Sequence, residues 1–126
     1  MSRELSTIQK REKLNRVFAT DKPGCGGSSH YYRIEKNDEN ELENLYHPLA
    51  VIAFQNGPRK DEDSVCGVVD QDLLEIVRDR LKGFSSGELA TRETAIALTH
   101  VEEALMWLNK RIEDRIERGV LGTMEK

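Results

Sequence analysis

The chain has 126 residues, of which 37% are hydrophobic and 33% charged. That length fits one domain and excludes a multidomain enzyme, a full dinucleotide-binding fold and a barrel of the triosephosphate isomerase type. The net charge of −4 argues against general DNA or RNA binding, where neutralising phosphate dominates affinity, yet leaves room for a local basic pocket for a small anion.

In chain order, residues 1–12 are polar, with Lys10, Arg11 and Lys13 close together, and read as a frayed arm or a short helix. Leu14 to Ala19 is a weak strand candidate. Lys22 to Ser29 is rich in turn formers; it either links strands tightly or offers backbone N–H groups to a phosphate, and it lacks the P-loop pattern. His30 to Ile34 reads as a strand. Asn37 to Asn44 is acidic and polar, hence a loop. Leu49 to Gln55 is apolar on both faces and is expected to be a central strand. Asn56-Gly57-Pro58 ends it with turn chemistry, and Val65 to Val69 reads as a short extended piece.

From Asp70 the pattern becomes helical. Asp70 is the expected N-cap, and Leu73, Ile76, Val77, Leu81 and Phe84 have helical spacing, with Gly83 as the C′ residue. Ser85 and Glu88 stand at capping-box spacing. No helix breaker occurs from Glu88 to Arg118, a stretch of about 45 Å at 1.5 Å per residue. The fold class is therefore α+β: a small antiparallel β-sheet in the N-terminal half, then a long unequal α-helical hairpin. The expected organisation is a single domain over 1–126, with a β-rich part at 1–69, the hairpin at 70–118 and a tail at 119–126.

The long helix carries two stripes. Leu98, Val101, Leu105, Leu108, Ile112 and Ile116 form an apolar seam. The shorter helix cannot cover all of it, so part must meet the sheet or another chain. Glu103, Trp107, Arg111, Arg115 and Arg118 lie about 100° round the helix. An aromatic ring beside stacked guanidiniums suits a nucleotide: ring and guanidinium planes stack on a base, and the Arg forks pair with phosphate oxygens. The same stripe also reads as a solvated face with i,i+4 ion pairs, for which Glu113, Asp114 and Glu117 are available partners.

Other chemistry is sparse. Cys25 and Cys66 lack metal spacing, and two unpaired thiols suit a reducing compartment. His30, His47 and His100 are dispersed and form no metal motif. No nucleophile signature appears, so no catalytic residue, metal or cofactor is assigned. No apolar run reaches the ~18 residues of a membrane span, and the first sixteen residues lack the apolar segment of a signal peptide. A soluble intracellular protein is expected.

Two segments resemble a known family. Asp70-Gln71-Asp72-Leu73-Leu74-Glu75-Ile76-Val77-Arg78-Asp79-Arg80-Leu81-Lys82-Gly83-Phe84 is similar to the first hairpin helix of a phage family. Thr91 to Leu108 (TRETAIALTHVEEALMWL) is similar to its second. Arg111, Arg115 and the Arg118-Gly119-Val120 tail extend the likeness, as do Asp21-Lys22-Pro23-Gly24 and Phe54-Gln55-Asn56-Gly57-Pro58. The family is that of the Thoeris anti-defence phage proteins of the first type, which share their hairpin with phage anti-CBASS cyclic-nucleotide sponges. The resemblance implies dimers or hexamers in the host cell cytoplasm. It implies sequestration, without cleavage, of cyclic ADP-ribose isomers such as glycocyclic ADP-ribose, and in some members of cyclic di- or trinucleotides. It places the ligand-contacting aromatic on Phe84, phosphate-binding arginines on Arg111 and Arg115, and a polar contact on Thr94, where the family pattern has Asn. Trp107 joins them as a stacking surface. Arg59, Thr91 and Arg92 are candidates, by location, for a second site taking cyclic oligonucleotides. Two rival classes stay open: an interaction protein that blocks a host effector directly, and an enzyme that degrades the signal nucleotide.

Overall fold

The structure, a computed structural model, describes residues 2–125. The ends of the expected arm and tail, Met1 and Lys126, lie outside the described residues. The architecture is α+β. The chain forms two compact units, one running to Gly57 and including Asp63–Gly67, the other comprising Pro58–Glu62 and Val68 onward.

The first unit is a four-stranded antiparallel sheet of order β1-β2-β3-β4: β1 (Arg3–Glu4), β2 (Asn15–Ala19), β3 (Tyr31–Lys36) and β4 (Ala50–Ala53). The expected arm is thus in part a strand. It pairs with β2, and Arg16 holds Glu4 at 3.0 Å. Strand alternation sorts the two faces. Val17, Ala19, Tyr32, Ile34, Ala50 and Ile52 share one, where Tyr32 meets Phe54 edge to face at 5.6 Å. Arg16, Phe18, Arg33 and Glu35 share the other, with both guanidiniums over the Phe18 ring, at 5.0 and 4.7 Å. Buried Glu35 accepts from Arg33 Nε at 2.7 Å, so neither charge is left uncompensated. Among the described residues Ala19 is the only fully buried apolar one, in a chain with 37% hydrophobic against 33% charged residues.

Three expectations for this half are corrected. The strand over Leu49 to Gln55 is an edge strand, not a central one, and Val51 is 70% exposed. Its apolar character does not report burial on both faces. The acidic stretch contains a helix, α1 (Glu41–Tyr46). Asn44, within that helix, reaches back to the Lys36 carbonyl and the Asp38 carboxylate, an interaction no periodicity scan detects. The extended piece from Val65 to Val69 forms no strand among the described residues; Val65 pairs with Asn56 in an isolated antiparallel bridge.

The glycine-rich segment is a connection organised from outside itself. The Asp21 carboxylate accepts from the backbone N–H groups of His30 and Tyr31 at 2.9–3.1 Å. A 3₁₀ turn at Cys25–Gly27 sets Gly26 and Gly27 at positive φ, which L side chains resist. Gly67 is needed for another reason. A Cβ there would stand 2.5 Å from the Ala53 carbonyl oxygen and 2.6 Å from the Phe54 carbonyl carbon.

The second unit is a helical hairpin, α2 (Asp70–Ser85) and α3 (Arg92–Glu117). Its boundaries differ from those the sequence suggests. Val69 occupies the cap position; its N–H donates to the Asp72 carboxylate at 2.9 Å, and Asp70 is already helical. Gly83 lies inside α2, which runs on to Ser85 because the Ser86 hydroxyl donates to the Lys82 and Gly83 carbonyls. The Ser85–Glu88 capping box does not form. α3 starts at Arg92, where Thr91 Oγ1 accepts from Thr94 N–H at 3.1 Å. At 1.5 Å per residue α3 is therefore about 39 Å long.

The seam of α3 is placed as expected from Leu98 to Ile112, all half-buried, and opens at Ile116. Its counterpart on α2 runs through Leu74, Arg78, Leu81 and Ser85. Ile76, Val77 and Phe84 are exposed, against the expected face. The rotation follows from Arg78, which bridges to Glu102 of α3 at 2.8 Å and to Glu75 at 3.3 Å. Those hydrogen bonds raise its pKa. An arginine whose stem covers apolar surface while its head is paired can hold a seam position.

Candidate nucleotide-binding surface on the hairpin

The Arg78–Glu102 bridge fixes the level of the two antiparallel helices. Phe84, six residues past Arg78, lies near the level of Ile96. Thr94 is in the first turn of α3. The hairpin tip therefore carries Phe84, Thr94, Thr91 and Arg92. Phe84 is exposed, with the Arg80 guanidinium 5.4 Å above its ring. Arg80 was not singled out by sequence, although its position one turn before the aromatic is a usable signal. The Thr94 hydroxyl is 2.9 Å from that of Thr91, so the cap and the candidate polar contact are one small network.

Trp107, Arg111 and Arg115 sit toward the other end of α3. Trp107 is 69% exposed, with Met106 exposed beside it. Arg111 is exposed and makes no hydrogen bond or ion pair among the described residues. Glu103, one turn before Trp107, is exposed as well. Trp107 and Arg111 are thus an open ring-and-guanidinium pair at i,i+4.

Arg115 behaves differently. It is 5% exposed, and its guanidinium donates to the carbonyls of Val120 and Thr123 at 3.0 Å and to that of Glu125. Gly119 at positive φ turns the chain, and the Val120 N–H bonds the Arg115 carbonyl. The tail so held covers part of the α3 overhang that α2 cannot reach. Arg118 pairs with Asp114 at 3.2 Å, as the solvated-face reading of this last turn anticipates. The spacing of the arginines could not reveal that one of them turns inward. The hint lay downstream, in glycines at 119 and 122 that permit a return.

One chain does not bring all the candidates together. Thr94 and Arg111 are seventeen residues apart on one helix, about 26 Å at 1.5 Å per residue. The tip group and the Trp107–Arg111 pair are separate surfaces. The second candidate set divides likewise. Thr91 and Arg92 are at the tip, whereas Arg59 adjoins Lys60, whose stem packs over Gly122 in the tail. Among the described residues no group of His, Cys, Asp or Glu is arranged to hold a metal ion, and no helix is long and apolar enough to cross a membrane.

A family model described as Acb2/Tad1, hairpin domain, matches residues 47–113. That span takes in β4, α2 and α3 as far as Glu113. The protein named Thoeris anti-defense 1 from Bacillus phage SBSphiJ7 is 43% identical over 97 residues, which cover 77% of this chain and 68% of that protein. On both counts, the chain belongs to the Acb2/Tad1 hairpin-domain family.

Proposed function

We propose that this protein is a phage anti-defence sponge acting in the host cytoplasm. It binds cyclic ADP-ribose isomers such as glycocyclic ADP-ribose, the signals of Thoeris TIR proteins, and holds them uncleaved. The observation that carries the reading is the open Trp107–Arg111 pair on a chain of this family. A guanidinium with no internal partner is available to a pyrophosphate, and charge-assisted bonds to phosphate are among the stronger polar contacts. The exposed indole offers a base or ribose face an apolar platform. Arg115, one turn on, adds positive charge from beneath the surface. Net acidity elsewhere disfavours polyanions and leaves the site to small ligands.

The separation along α3 shapes the pocket. A ligand of this size cannot touch Thr94 and Arg111 of one chain. A two-fold pair of hairpins running in opposite directions sets Phe84 and Thr94 of one copy beside Arg111 of the other. Each pair of chains then has two equal pockets, and the exposed Ile76, Val77 and Ile96 are apolar surface for the contact.

Calorimetry with glycocyclic ADP-ribose tests the reading, followed by heating of the complex and chromatography of what is released. Binding at one ligand per chain, with release of intact ligand, is expected, as is loss of binding in Arg111→Ala. Absence of binding overturns the proposal. Release of an altered nucleotide replaces the sponge with an enzyme.

A further inference from the structure

α1 is built inside out. At about 100° per residue, Leu42, Leu45 and Tyr46 fall on one side and Asn44 on the opposite side. Asn44 is the buried residue, bonded to Lys36 and Asp38, while Leu42, Leu45 and Tyr46 face solvent. Leu49 and Val51, next along the chain, are exposed too. A short helix whose apolar stripe faces water gains nothing from that stripe in the isolated chain. The stripe is flanked by Glu39, Glu41 and Glu43, none of which forms an ion pair among the described residues.

The same unit carries a segment of opposite character. Between β1 and β2 the chain projects a loop in which Ile8 is fully exposed and Leu14 nearly so. Lys10, Arg11 and Lys13 lie between them. The loop has a defined shape. The Gln9 amide donates to the carbonyls of Arg11 and Glu12, and Glu12 is held at φ 53°. Among the described residues, no ion pair involves Lys10, Arg11 or Lys13.

We infer that the loop of one copy, Ile8 to Leu14, docks on the α1 stripe of a second copy. Ile8 and Leu14 cover Leu42, Leu45 and Tyr46, while the three basic residues face Glu39, Glu41 and Glu43. Charge selects this pairing over stripe against stripe; because Asn37 bonds the Lys13 and Leu14 carbonyls of its own chain, a contact within one chain is the rival that the isotope pattern decides. Two α1 stripes packed together would oppose carboxylates to carboxylates, whereas loop against stripe opposes unlike charges. The loop and α1 both belong to the first unit and lie outside residues 47–113, and the inference does not rest on the nucleotide reading.

Carbodiimide crosslinking of a mixture of ¹⁵N-labelled and unlabelled full chain tests it, since the reagent joins lysine amines directly to carboxylates. Peptide pairs of mixed isotope linking Lys10 or Lys13 to Glu39, Glu41 or Glu43 are expected. They should disappear in the double variant Ile8→Ser, Leu14→Ser, which keeps every crosslinkable group and alters only exposed side chains. Crosslinks confined to one isotope, no crosslinks, or mixed crosslinks that survive the double variant each overturn the inference. Ligand affinity measured on the same variant stays at the wild-type value, which separates this contact from the nucleotide site.

Discussion

Arg111 and Arg115 are one helical turn apart, yet their replacement should produce different losses. Arg115→Met keeps the length of the stem but removes the guanidinium that three tail carbonyls share. A hydrogen bond to a charged group contributes about 1.5–3 kcal/mol net, so three set an upper bound near ~5–9 kcal/mol. The tail is short and its carbonyls can regain water when it detaches, which discounts most of that sum. A destabilisation of about 2–3 kcal/mol is expected, as for other lost buried networks. Urea unfolding measures it. Hydrogen exchange locates it, because the Val120 amide, bonded to the Arg115 carbonyl, and the Thr123 amide, bonded to that of Val120, should lose protection before the hairpin does. Arg111→Ala, at an exposed position without internal partners, should leave stability within about 0.5 kcal/mol and act on ligand binding alone. If Arg115→Met unfolds at the wild-type urea concentration with its tail amides still protected, the clamp does not hold the tail and the reasoning fails.

Other outcomes follow from single features. Gly67→Ala drives a Cβ against backbone atoms of Ala53 and Phe54 that cannot step aside, and a thermal melt should show a loss of about 2 kcal/mol or more. Thr91→Ala removes the acceptor for Thr94 N–H and should cost about 1 kcal/mol, read by denaturant titration; Thr91→Ser should recover most of it. Asp21 is partly desolvated, which raises its pKa, but the N–H groups of His30 and Tyr31 outweigh this and leave it lowered. Its contribution is therefore fully present above the unfolded value of about 3.9 and is lost as pH falls through the lower folded value. Asp21→Asn should flatten the acid limb of a stability–pH profile, and an unchanged limb would refute the assignment.

Legibility from sequence tracks how local each cause is. The strands around Phe18 and Ile34 and both hairpin helices are readable because alternation and 3.6-residue periodicity act over neighbours. The Trp107–Arg111 pair is readable for the same reason. The errors come from contacts across sequence. The strand over Leu49 to Gln55 looks central because apolar residues on both faces also suit an edge with uncovered surface. α1 is hidden because its inward anchor is Asn44, a polar residue with remote partners. The face of α2 is misjudged because Arg78 holds the seam through Glu102. Arg115 lies on the right stripe, but its direction is set by a tail that folds back after Gly119.

The packing of the Lys60 stem over Gly122 has a bearing on how the second unit assembles. The hairpin is stabilised by contacts between residues close in sequence, which form quickly. Lys60 and Gly122 instead close a loop of some sixty residues, a slower and entropically dearer event. Folding of this unit should therefore have an early hairpin, with its tail turned back on Arg115 by local bonds, and a late closure in which the Lys60 stem settles over Gly122. A hairpin expressed from Val68 onward would complete the first step, tail included, and lack only the Lys60 contact.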